Sequence, residues 1–164
     1  VTAAVTGLGT AMFGPLLGAA ADRFGQRRVL LCAGLANSLL LVAIAWLAFA
    51  PVPDAAVLAA GFLIGASTPQ VAPLSRSRLV GIIARAIDPD RRNAVVSGTM
   101  AYESAADEIV FVFGPVIVGV LAATLDPVAP VLGAAALAVI FVSAFALHPS
   151  ARIEAGVREG APAP

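Results

Sequence analysis

The chain has 164 residues, ten cationic and ten acidic side chains and a formal charge of zero; 60% of its residues are hydrophobic and only 12% are charged. Soluble domains carry about 25% charged residues, so a water-soluble body of this size would be short of polar surface, and a neutral chain whose cations are all Arg offers no basic field for nucleic acid. The single cysteine, Cys32, excludes an internal disulfide and a cysteine metal cluster, and inside an apolar run it is expected to pack as a small hydrophobe.

Residues 1–21 contain no Asp, Glu, Lys or Arg, and the same holds for 29–53, 55–75, 109–125 and 127–151. A helix needs about 20 apolar residues to cross the roughly 30 Å hydrocarbon layer, so these stretches predict five spans, the fourth extended on its N-terminal side. A cleavable signal peptide would be one short run behind a basic start, not a series. Helix is favoured over strand because Val29–Ala50 is apolar on every face except at Asn37 and Ser38, whereas barrel strands alternate polar and apolar.

In chain order, the expected elements are a helix over 1–21, a connector over 22–28, a helix over 29–50, the tight connector Pro51-Val-Pro53-Asp54, and a helix over 55–75. A polar segment follows over 76–92, in which the apolar stretch 79–87 either lies along the membrane surface or extends the preceding span. Helices over 93–124 and 128–147 come next, joined at Asp126-Pro127. The domain reading is an all-α transmembrane bundle over 1–148 with a flexible tail over 149–164, ending Gly-Ala-Pro-Ala-Pro. Every Arg lies in 22–28, 76–92 or the tail, and none in the other two connectors. Positive charge marks the cytoplasmic side, so the connectors alternate in, out, in, out, in, with Val1 outside. An apolar start on the outside without Met leads to the expectation of a preceding helix.

The first connector reads Gly14-Pro15-Leu-Leu-Gly18-Ala-Ala-Ala-Asp22-Arg23-Phe-Gly25-Gln-Arg27-Arg28. Its pattern, G-x-x-x-D-R-x-G-x-R-R, resembles the signature between the second and third helices of the major facilitator superfamily. Gly18 is expected to let two helices approach closely, Gly25 to permit the reversal, and Arg27 and Arg28 to anchor the next helix. Asp22, at a helix end, can pair with Arg or accept from the N-terminal amides of a neighbouring helix. Gln26 stands at a position that is often basic in the family. The resemblance implies that Gly18, Asp22, Arg23, Gly25, Arg27 and Arg28 latch the two halves of a transporter on the cytoplasmic side.

Farther on, Phe113-Gly114-Pro115-Val-Ile-Val-Gly119 is similar to the family's fifth-helix motif, associated with drug/proton exporters, although Val110 and Val118 replace two glycines. Gly114, Pro115 and Gly119 are expected to thin and bend that helix. The fourth-helix R-x-x-x-G of proton-coupled exporters is replaced by Gly61-Phe-Leu-Ile-Gly65, so drug/proton antiport is not inherited. The resemblance covers helices two to six of the N-terminal half; the C-terminal half can carry a degenerate first motif, and the Gly-Pro motif argues against that placement.

Five side chains are candidates for binding a proton or substrate. Glu103 and Asp107 share a helix face at i, i+4, and Glu108 is rotated about 100° from Asp107. A carboxylate within a membrane costs several kcal/mol unless it faces a cavity, pairs or takes up a proton. The opposing reading is a helix whose first turns project into the cytoplasm and leave these acids solvated. Gln70, between Pro69 and Pro73, and Asn37 are candidate substrate contacts that would otherwise serve as interhelical hydrogen bonds. Arg76 and Arg78 are expected to mark a cytoplasmic helix end, Arg76 with an acid on the next helix in reach. No Walker loop, metal-ligand spacing or hydrolase set occurs, so neither a cofactor nor an enzymatic activity is expected. The expected function is secondary active transport of an unidentified small solute by alternating access, with protons as a coupling ion. Its partners would be the bilayer and the remainder of the transporter, meaning helix one and the C-terminal half. The rival is a non-transporting membrane scaffold or sensor.

Overall fold

The computed structural model describes residues 1–151 and is an all-α bundle. Its helices are α1 (Thr2–Phe24), α2 (Gln26–Leu47), α3 (Asp54–Ala66), α4 (Val71–Ala86), α5 (Pro89–Thr124), α6 (Ala129–Leu137) and α7 (Ser143–Leu147), with a π-helical turn, Ala138–Val142, joining the last two. Five segments are long and apolar enough to cross a membrane: α1, α2, Asp54–Ala86, α5 and Ala129–Leu147. The tail beyond residue 151, with Arg152 and Arg158, lies outside the described residues.

The connector expected over 22–28 shrinks to one residue. α1 runs to Phe24, α2 starts at Gln26, and Gly25 takes φ +90°, the left-handed region that reverses the chain without a Cβ penalty. The third span departs most from expectation. It breaks after Ala66 and resumes at Val71, and the segment expected to be polar is largely helical, α4 extending the span to Ala86 and α5 beginning at Pro89 rather than near 93.

The cause of the break is Pro69, which brings no N–H and disfavours helix at the residue before it. A helix end at membrane depth is tolerated only when its freed carbonyls find other donors. Here Ser67 Oγ donates to the Leu63 carbonyl (2.7 Å), Thr68 Oγ1 to that of Ile64 (2.9 Å), and Asn37 Nδ2 crosses from α2 to the same Ile64 carbonyl (2.8 Å).

The tightest packing joins α1 and α3, which run side by side in the same direction. A Cβ on Gly65 would fall onto the Thr6 carbonyl, one on Gly9 onto the Phe62 carbonyl, and one on Gly61 would lie 3.0 Å from Thr2 Cγ2. Thr10 Oγ1 also donates across the seam to the Gly65 carbonyl at 3.2 Å. At Gly18 no helix of this chain comes close: a Cβ there would meet nothing within 4 Å. The Gly61/Gly65 pair, notable in the sequence only for lacking an arginine, makes the seam instead. α2 packs against the last span, where Gly34 lies against Val142, and a small apolar core of Ala21, Leu30, Leu74, Val142 and Ala146 gathers the arginine-rich ends of four segments.

α5 is built differently. At 1.5 Å per residue its 36 residues extend about 54 Å, none is buried, and its neighbours are α4 and α6. Counting about 20 residues back from Thr124 for one hydrocarbon thickness reaches the neighbourhood of residue 105. By length alone, then, α5 exceeds one hydrocarbon thickness, and its N-terminal turns lie beside α4. Helix continues through Pro115, and a Cβ at Gly114 or Gly119 would meet nothing within 4 Å.

Candidate functional site at the arginine-rich end

The reversal at Gly25 fixes the first group of side chains. Asp22, Arg23, Arg27 and Arg28 are all exposed around it, a surface with three guanidinium groups and one carboxylate. Arg23 lies over the Phe24 ring, 5.4 Å from its centroid, a distance at which a cation is attracted by the ring face. Gln26, the departure from the family pattern, is instead buried at 9% exposure, and its Oε1 accepts from Arg78 Nε at 3.0 Å.

The second group ties α4 to α5. Arg76 Nε donates to Glu103 Oε2 at 3.2 Å and its Nη2 to Asp107 Oδ2 at 2.7 Å, while Ser75 Oγ donates to Glu103 Oε1 at 2.8 Å. Because Glu103 and Asp107 are one helical turn apart, a single planar guanidinium reaches both. The Glu103 side chain is 18% exposed against 61% for Asp107 and 44% for Arg76. The cluster thus sits at a boundary, more shielded toward Glu103. Glu108 points elsewhere, exposed and on another face. Of the three candidate acids, then, two are brought together and one is apart. Ser75 was not foreseen as part of the site; its position opposite an acid on an antiparallel neighbour was the available signal.

A third feature is a cleft of about 470 Å³ between α1 and α4, lined by Thr10, Gly14, Pro15, Gly18, Gln70 and Pro73. Gln70 caps the break, its Nε2 donating to the Thr68 carbonyl at 3.1 Å, and its side chain faces Gly14 across the cleft. Asn37 is not at this cleft. It is 7% exposed and its amide is spent on Ile64 and on Ser67 Oγ, 3.3 Å away. Gly114, Pro115 and Gly119 lie on α5, away from both charged groups in sequence and along the axis. Among the described residues no three or more His, Cys, Asp or Glu side chains come together as a metal site.

Five apolar spans, a glycine reversal flanked by acid and arginines, and an ionic tie between the third and fourth spans define a polytopic integral membrane protein with its polar chemistry at one end. The family model described as the Major Facilitator Superfamily matches residues 1–163. The chain belongs to that superfamily, whose members are transporters rather than enzymes. No curated protein and no solved structure matches it.

Proposed function

We propose that this chain forms helices two to six of the N-terminal half of a secondary active transporter in the cytoplasmic membrane, moving a small solute by alternating access. Val1 is outside and the arginine-rich end inside, so the Asp22–Arg28 surface faces the cytoplasm, where a second half of the transporter would meet it. The helix-five likeness at Phe113–Gly119 favours export. The observation that carries the reading is the Arg76–Glu103–Asp107 cluster, where two acids of one candidate span meet a cation of another.

The cluster holds one positive charge between two negative ones, with a further carboxylate, Glu108, one residue on. A proton arriving at Asp107, the more exposed acid, removes one of the two attractions that hold α4 to α5. A cationic group of the solute competes with Arg76 for the same oxygens. Either event loosens this contact while leaving the α1–α3 seam intact, a local shift of the kind by which a bound proton or solute biases one conformation over another. The experiment is transport by the complete protein in proteoliposomes carrying Asp107→Asn or Glu108→Gln. The proposal expects a changed rate or pH dependence for Asp107→Asn and a smaller change for Glu108→Gln. Unchanged rate and pH dependence in both would remove the acids from coupling.

A further inference from the structure

Arg78 is the most deeply buried charged side chain among the described residues, at 3% exposure. A buried guanidinium is strongly unfavourable unless its hydrogens are well placed, and the surroundings supply acceptors for Nε and Nη1. Nε meets Gln26 Oε1 at 3.0 Å, Nη1 meets the Phe145 carbonyl at 2.8 Å, and the group lies 3.9 Å from the centroid of the Phe145 ring. The carbonyl contact has a cause in the sequence. In a continuing helix the Phe145 oxygen would accept from the N–H four residues on, and that residue is Pro149, which has none. The last carbonyls of a helix are orphaned and carry its partial negative charge, so a cation there is favourable.

We propose that Arg78 is a positioning residue, a pin that sets the start of α2, and with it the exposed Asp22–Arg28 surface, against α4 and the end of the last span, and that Gln26 is the acceptor this pin demands. This accounts for the departure at Gln26. A basic side chain there, the type the family often has, would place two cations together in a buried site where neither has water. An uncharged acceptor is what the arginine on α4 permits, and an acidic one would hold it more tightly. The functional consequence rests on the transporter reading; the contact itself, and its test, do not.

The test is hydrogen–deuterium exchange of the complete protein in lipid nanodiscs, read by mass spectrometry. Two segments are followed, 29–33 at the start of α2 and 143–150 at the end of the last span, with 2–12 as a control. Arg78→Gln should speed exchange about tenfold in both segments and leave the control unchanged, the loss of charged, buried hydrogen bonds being felt locally. Gln26→Arg should speed exchange at 29–33. Adding Arg78→Gln to Gln26→Arg should return 29–33 toward the starting rate but not 143–150, because the reversed pair restores the contact to α2 and not the one to Phe145. A general structural role would not give this one-sided rescue. Gln26→Glu should slow exchange at 29–33. Should Arg78→Gln alone fail to fold, the Gln26 variants still decide. Faster or unchanged exchange in Gln26→Glu, or no effect of Gln26→Arg, overturns the pin, and neither result bears on whether the protein transports.

Discussion

The α1–α3 seam and the α4–α5 contact are two ways of joining helices in one membrane, and they respond to different perturbations. The seam brings backbones together at Gly9, Gly61 and Gly65, so close that a Cβ at Gly65 would meet the Thr6 carbonyl. Its stability comes from many short dispersion contacts and a threonine hydrogen bond, none of which involves an ionisable group. The α4–α5 contact is carried by Arg76, Glu103 and Asp107 beside a helix with no buried residue. The first kind of joint is set by shape and insensitive to pH or ions. The second is held by charge, and under the proposed function it is the contact that a proton or a competing cation would open.

The largest expected effect tests the rigidity of the seam. Gly65→Leu has no room against backbone atoms, which cannot step aside as a flexible side chain does, and should destabilise the protein by about 3 kcal/mol or more or abolish its folding. Thermal unfolding of the complete protein in detergent, followed by size-exclusion chromatography, measures this. The matching change on α5, Gly114→Ala, enters open space and should cost nothing, with a gain of up to about 1 kcal/mol from helix propensity. If both glycine variants behaved alike, the contrast between the two joints would be lost.

A smaller effect is expected at the break in the third span. Asn37→Leu removes the donor that α2 supplies to the Ile64 carbonyl and should cost about 0.5–1.5 kcal/mol, the net worth of one hydrogen bond, on the same unfolding assay, because Thr68 Oγ1 still donates to that carbonyl. Arg76→Gln should come last in stability, at about 1 kcal/mol or less, because its partners are partly solvated. The order should invert for transport, where Arg76→Gln acts on the yielding contact and Asn37→Leu does not.

The sequence made some of this legible and hid the rest for physical reasons. Long charge-free runs foretold the five spans because a bilayer penalises each stray charge directly, and the glycine at the Asp22–Arg28 reversal was readable because no other residue takes that backbone conformation so freely. The interruption at 67–70 was missed. Pro69 and Pro73 sit within an apolar run, and whether a proline bends or breaks a membrane helix depends on donors brought from elsewhere, here Asn37, 27 residues away from the Ile64 carbonyl it reaches. Arg78 looked like a helix-end marker because its partners, Gln26 and Phe145, are 52 and 67 residues distant in the chain. Arg76 was easier: an arginine opposite acids on the next antiparallel helix leaves few other arrangements. Within this chain the close contacts fall on Gly9, Gly61 and Gly65, while a Cβ at the motif glycine Gly18 would meet nothing within 4 Å.

The most direct test is a pair of distances in the complete protein, measured by spin labels. One pair spans the seam, at Leu8 and Leu63; the other spans the ionic contact, at Ser77 and Ser104; all four positions are exposed. The account predicts that acidification from neutral pH leaves the Leu8–Leu63 distribution unchanged and broadens or lengthens the Ser77–Ser104 distribution, with Asp107→Asn producing the same change at neutral pH. A seam distance that shifts on acidification while the Ser77–Ser104 distance stays fixed would contradict it.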